Sequence, residues 1–172
     1  FSQTALYQDD FESYAVGGYL AASNPEWWDT WSGAPGTGED ALISDDFANS
    51  PTKSALVDET GGATDLIFKM GNKTSGAYNV DFWVYVPAGN AGYYNFQHFE
   101  SPGIEWAFEL YMNTDGTTTL HADISSAATW NYDHDTWIPI HHMVDLDNDG
   151  YEQTGWVVLY MHVESRGRVE PG

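Results

Sequence analysis

The chain is 172 residues long, with 26 acidic residues against 5 basic ones, a formal net charge of −21 and no cysteine. That charge excludes unaided nucleic-acid binding, which needs a basic stripe, and disfavours docking on anionic lipid. Without cysteine there is no disulfide, no thiol nucleophile and no thiolate zinc site.

A hydrophobic share of 42%, with 16% aromatics, suffices for a packed core, and the length suits one domain over residues 1–172. No apolar run is long enough to span a bilayer, so membrane insertion is not expected. The opening FSQT reads as a mature end of the kind that signal-peptide removal leaves.

Turn signals recur along the chain: VGG, NPE, GAPGTG, ETGG, PAGNAG, SPG, NTDG and DNDG. Between them lie runs rich in Val, Ile, Thr, Tyr, Phe and Trp, and no amphipathic helix of three turns. The expected class is all-β, an antiparallel sandwich of about ten or more strands.

Taken in order, the N-terminal segment offers hard oxygen ligands at Asp9, Asp10 and Glu12. Trp27, Trp28 and Trp31 follow, and because neighbours on a strand point opposite ways, one of the first two is expected in the core. In AYNVDFWVYVP, Tyr78, Val80, Phe82, Val84 and Val86 share one face, and Asn79, Asp81, Trp83 and Tyr85 share the other. In GIEWAFELYMN, the apolar face carries Ile104, Trp106, Phe108, Leu110 and Met112, opposed by Glu105, Ala107, Glu109 and Tyr111. TTTLHADI sets Leu120, Ala122 and Ile124 against Thr119, His121 and Asp123, and a late strand runs from Trp156 to Glu164. His141 and His142 are adjacent and so point to opposite faces of their strand.

The face opposite the core therefore mixes Trp and Tyr with carboxylates, amides and imidazoles. Sugars need flat rings against their C–H faces and planar polar groups against their hydroxyls. The candidate ligand residues are Trp83, Tyr85, Tyr93, Asn95, Gln97, Glu105, Glu109, Tyr111 and His121. DLDNDG matches the first half of an EF-hand loop at Asp145, Asp147, Asp149 and Gly150, but the twelfth position is Trp156, so an acidic hairpin turn is the simpler reading.

LYQDDFESYAVGGYL, PEWWDTWSG, GYYNFQHFESPGIEWAFELY and HHMVDLDND together resemble the concanavalin A-like lectin/glucanase superfamily, specifically jelly-roll modules of secreted polysaccharide-degrading bacterial proteins. The resemblance implies two curved antiparallel sheets, a concave glycan-binding face, an extracellular or cell-surface location, and often one structural Ca²⁺. That ion would be held through the Asp9, Asp10 and Glu12 region. Retaining glycosidases of this fold carry a Glu-x-Asp-x-Glu strand motif. Here Glu105 and Glu109 match its ends, whereas Ala107 replaces the central Asp that tunes the pair.

The expected function is a non-catalytic extracellular carbohydrate-binding or adhesion module. The alternatives are a retaining glycoside hydrolase or polysaccharide lyase working through Glu105 and Glu109, and a structural assembly module. The C-terminal quarter departs most from the family pattern, with no residues left after the late strand for a closing one. An open edge near the N-terminal strand is therefore expected to pair with a second copy or a neighbour in an assembly.

Overall fold

The computed structural model describes residues 5–58, 64–99, 101–122, 125–147 and 157–166, with the backbone alone at 72, 125–127 and 157–166. In chain order the elements are α1 (Leu20–Ser23), β1 (Trp28–Thr30), β2 (Leu42–Ser44), β3 (Ser54–Leu56), β4 (Asp65–Lys73), β5 (Ala77–Tyr85), β6 (Ala91–Gln97), β7 (Trp106–Met112), β8 (Thr117–Ala122), β9 (Ser125–Asn131), β10 (Trp137–Asp145) and β11 (Val157–Arg166). The protein is all-β, with antiparallel sheets compatible with a β-sandwich.

Local chemistry sets these elements. β-branched and aromatic residues fill the strands, where they suit a half-buried pleated surface. The β7–β8 turn closes by a Gly116 N–H to Asn113 carbonyl bond, and Asp115 accepts the Thr117 N–H at 2.9 Å, a side-chain turn that Asp favours. The single turn of α1 is held by Asp40, whose buried carboxylate accepts the Ala21 and Ala22 N–H groups at 2.8 and 3.0 Å. Orphan N–H groups at a helix start require such a partner.

The large sheet has seven strands in the order β1-β4-β11-β6-β7-β8-β9. A separate pair, β5–β10, runs in unbroken register from Trp137 opposite Tyr85 to Asp145 opposite Ala77. A small β2–β3 pair is tied in by a bridge from Tyr19 to Leu42.

Strand alternation decides what lies between the layers. Tyr94 and Phe96 of β6, Leu110 and Met112 of β7 and Met70 of β4 face Val80, Phe82 and Val84 of β5 and Ile138, Ile140 and Val144 of β10. Fully burying each such aliphatic or aromatic side chain contributes about 1.5–3 kcal/mol. A second cluster of Leu20, Ala21, Trp28, Ala41, Ile43 and Leu66 covers the β1–β4 end, and Phe68 packs against both clusters.

His142 enters the first core. Its Nε2 meets the Tyr94 hydroxyl at 2.9 Å, and Phe82, Phe96 and Phe108 surround its ring. Burial pushes His142 below its ordinary pKa. Its neighbour His141 points outward and pairs with Asp81. Of Trp27, Trp28 and Trp31, the second is buried, Trp27 stacks on Tyr7 with ring centroids 4.5 Å apart, and Trp31 packs against Ile67.

Candidate functional site

The outward face of the large sheet carries six of the predicted ligand residues. On β6, Tyr93, Asn95 and Gln97 alternate with core-facing Tyr94 and Phe96. Register then sets Tyr93 opposite Tyr111, Asn95 opposite Glu109, and Glu109 opposite His121.

A continuous hydrogen-bond chain runs across them. The Gly103 N–H donates to Gln97 Oε1 (2.7 Å), Gln97 Nε2 to Asn95 Oδ1 (3.0 Å), and Asn95 Nδ2 to the Tyr93 hydroxyl (2.9 Å). Tyr93 in turn donates to Glu109 Oε1 (2.7 Å), which also receives the Tyr111 hydroxyl (3.0 Å). Burial, and then the hydrogen bond to Glu109, push the Tyr93 phenol above its ordinary pKa, so it stays a donor.

Part of this face is closed by the protein itself. Asn95 and Gln97 are 0% exposed, and Gly103 sits over Gln97 with φ +83°. A Cβ at Gly103 would lie 2.9 Å from Cζ2 of Trp31, so the indole lies directly against the glycine backbone. The accessible part of the face is the half bearing Glu109, Tyr111 and His121, where Tyr111 and His121 meet edge to face at 5.5 Å.

The register of β7 corrects the expected carboxylate pair. Pairing steps from Phe96–Phe108 to Gln97–Trp106, so β7 holds one extra residue, Ala107. Ala107 packs with Phe108 on the core side. A bulge of this kind reverses the alternation beyond it. Trp106 therefore falls opposite Gln97 on the polar face, 40% exposed, instead of in the core.

Glu105 goes to the other side, where its Oε1 meets His98 Nδ1 at 3.1 Å. Glu105 and Glu109 do not share a face. Retaining hydrolysis needs two carboxyl groups flanking one bond about 5–5.5 Å apart, an arrangement that this strand does not provide. Trp106 is the site residue that alternation missed. Its signal was Ala107, the lone aliphatic residue on a face otherwise made of Glu105, Glu109 and Tyr111.

Trp83 and Tyr85 also part from the others. Phe82 and Val84 face the core, so Trp83 and Tyr85 lie on the outer face of the β5–β10 pair, turned away from the sheet face that carries Glu109. Trp83 is 51% exposed opposite Pro139, and Tyr85 stacks on Phe47 and lies tilted against Trp137, with centroids 4.6 and 5.4 Å apart. The surface expected as one is two.

At the N-terminus the three predicted calcium ligands are engaged by protein donors. Asp9 accepts the hydroxyls of Tyr7 and of Tyr14 (2.6 Å) and the Phe11 N–H (2.9 Å). Asp10 accepts the Glu12 N–H. Glu12 accepts the Thr52 hydroxyl (2.6 Å) and the N–H groups of Thr52 and Lys53, and these bonds hold its carboxyl below the usual range.

The Lys53 ammonium binds the Glu12 and Tyr14 carbonyls at 2.8 and 2.6 Å, the oxygens a cation would otherwise use. The set is thus a poor fit to a calcium cage of six to eight oxygens. Among the described residues, no three His, Asp or Glu side chains converge as metal ligands. In DLDNDG the Asp147 N–H bonds Asp145 Oδ1, a local turn, and Asp149 and Gly150 lie outside the described residues.

No family model, curated protein or solved structure matches this chain. No described helix is long and apolar enough to cross a membrane.

Proposed function

We propose that this is a non-catalytic carbohydrate-binding or adhesion module acting outside the cell or at its surface, on a jelly-roll sandwich of the concanavalin A-like type. The position of β11 beside β6 supports that topology, since in a Greek key a later strand returns by a long connection to lie beside the first strand of a meander. The observation that carries the function is Trp106. The bulge at Ala107 sets an exposed indole on the same face as Glu109, Tyr111 and His121. An indole supplies the flat surface for a pyranose C–H face, and the Tyr93–Glu109–Tyr111 group supplies a fixed acceptor for its hydroxyls. Such prior fixing lowers the entropy cost of binding. Hydrolysis is the weaker reading because Glu105 is turned away.

The test is a glycan panel, followed by titration of any binder with Trp106→Ala and Trp83→Ala. Trp106→Ala should lose about 1–2 kcal/mol, on the order of tenfold in affinity, and Trp83→Ala should bind like the parent. Equal binding by Trp106→Ala and the parent would sink the assignment.

One observation favours an assembly module instead. The outer face of β5–β10 exposes Trp83 and Met143, the latter 74% exposed, and among the described residues each of these strands pairs only with the other. Light scattering showing a stable dimer that Met143→Lys dissociates would favour that reading.

A further inference from the structure

We propose that the glycan taken at the Trp106–Glu109 face carries free amino groups, making it a basic polymer of 2-amino-2-deoxy sugar rather than an acidic or N-acylated one. This rests on the carbohydrate reading above and names the ligand class of that same face.

The argument starts from how the donors are spent. Each hydrogen bond described in the chain from Gly103 to Tyr93 runs toward Glu109, and Tyr111 adds another. Both phenol hydrogens fall on Oε1, and Oε2 of Glu109 accepts no hydrogen bond from the described residues. The accessible half of the face therefore offers a ligand a carboxylate oxygen next to Tyr111, with Trp106 one register position further along the same face. A carboxylate on a face that also carries aromatic rings suits an ammonium group. Charge-assisted hydrogen bonds are roughly twice as strong as neutral ones, and aromatic faces attract cations within about 6 Å.

The distribution of positive charge points the same way. An acidic polysaccharide needs available cations; apart from the histidine imidazoles, among them His121 opposite Glu109, the described basic side chains are three lysines, and all are engaged. Lys69 lies 4.0 Å from Asp29 and donates to the Pro25 carbonyl, Lys53 holds the Glu12 and Tyr14 carbonyls, and Lys73 lies over the Tyr78 ring. The remaining basic residues, at 166 and 168, are outside the described side chains. Asp29 adds a further carboxylate to the outward face at β1, and the chain as a whole carries −21. A field of that sign concentrates cationic ligands and repels uronates and sulfates. N-acetylation removes the ammonium and leaves only stacking and neutral hydrogen bonds.

The experiment compares three oligosaccharides of equal length by calorimetric titration at mildly acidic pH: a β-1,4-linked glucosamine oligomer, its fully N-acetylated counterpart, and a uronate oligomer. The glucosamine oligomer should bind about tenfold or more tighter than the acetylated one, and the uronate should not bind. The preference should shrink in high salt and disappear in Glu109→Gln, which keeps the side-chain shape, whereas Trp106→Ala should weaken both binders together. Equal or tighter binding of the acetylated oligomer overturns this inference and leaves the carbohydrate reading intact. A preference that survives Glu109→Gln also overturns it, because the attraction then belongs to the whole acidic surface. Failure of all three, together with the wider glycan panel, overturns the carbohydrate reading itself.

Discussion

Replacing Gly103 with alanine tests whether the protein closes its own polar face, and Gly89 supplies the control. Both glycines have a left-handed backbone, φ +83° and +85°. A left-handed L-residue costs about 1–2 kcal/mol, and the stiffer unfolded chain returns about 0.4–1 kcal/mol. At Gly89 nothing lies within 4 Å of the new Cβ, so Gly89→Ala should lose only that difference, about 1 kcal/mol.

At Gly103 the new Cβ would meet Trp31 Cζ2 at 2.9 Å and Cη2 at 3.3 Å. Either the indole leaves its contact with Ile67 or the backbone lifts from Gln97, a fully buried amide whose Oε1 then loses its 2.7 Å partner. An unsatisfied buried polar group costs about 1–3 kcal/mol, so Gly103→Ala should lose about 2–4 kcal/mol in total. Urea denaturation reads this as a lower midpoint at unchanged slope. Adding Trp31→Ala should recover part of the difference, a coupling that independent sites would not show. Equal losses at the two glycines, or strict additivity with Trp31→Ala, would show that the indole does not lie on Gly103.

Three further outcomes follow from the described contacts. His142 is held below its usual pKa by burial, so the unfolded chain binds the extra proton. Its contribution to stability is complete above about pH 6.5 and is lost as the pH falls below that value. Thermal melts from roughly pH 7 to 5 should show that decline, and a profile just as steep in His142→Gln would assign it to other groups. Asp40→Ala strips an acceptor from the N–H groups of Ala21, Ala22 and Gly36 and should cost about 2–4 kcal/mol, with Asp40→Asn intermediate. A loss under about 0.5 kcal/mol in the same melts would contradict that role. Excess chelator should leave the melting temperature unchanged, whereas a fall that Asp10→Ala abolishes would restore calcium to the N-terminal segment.

The strands themselves were legible because period-two alternation survives burial. Val80, Phe82 and Val84 face inward and Trp83 outward, as their order demands, and the adjacent pair His141 and His142 splits in the same way. Alternation assigns faces within one strand, but it does not say which sheet the strand joins. The polar sides of β5 and β7 look alike in sequence. They point away from one another because both strands turn their apolar sides to one shared core. A single inserted residue was also invisible: Ala107 exchanges Glu105 for Trp106 on the ligand face, and nothing in residue type marks the exchange beyond that one small aliphatic side chain. Asp40 went unnoticed because its partners, Ala21 and Ala22, lie well before it in sequence and meet it only when the loops fold together.

β11 has a consequence for how the chain reaches this structure. It lies between β4 and β6, pairing Val157 with Lys73 and Tyr160 with Gln97. The meander β6–β9 has only local closures to make, and β1 with β4 can assemble beside the N-terminal cluster. The two parts become one sheet only when a strand from much later in synthesis enters between them. That entry carries the largest loop-closure cost in the fold, and high contact order slows folding. Until it happens, the facing edges of β4 and β6 are unpaired ladders, open to a neighbouring chain at the same stage. Crowded synthesis should therefore be more hazardous for this protein than its finished surface of repelling carboxylates suggests.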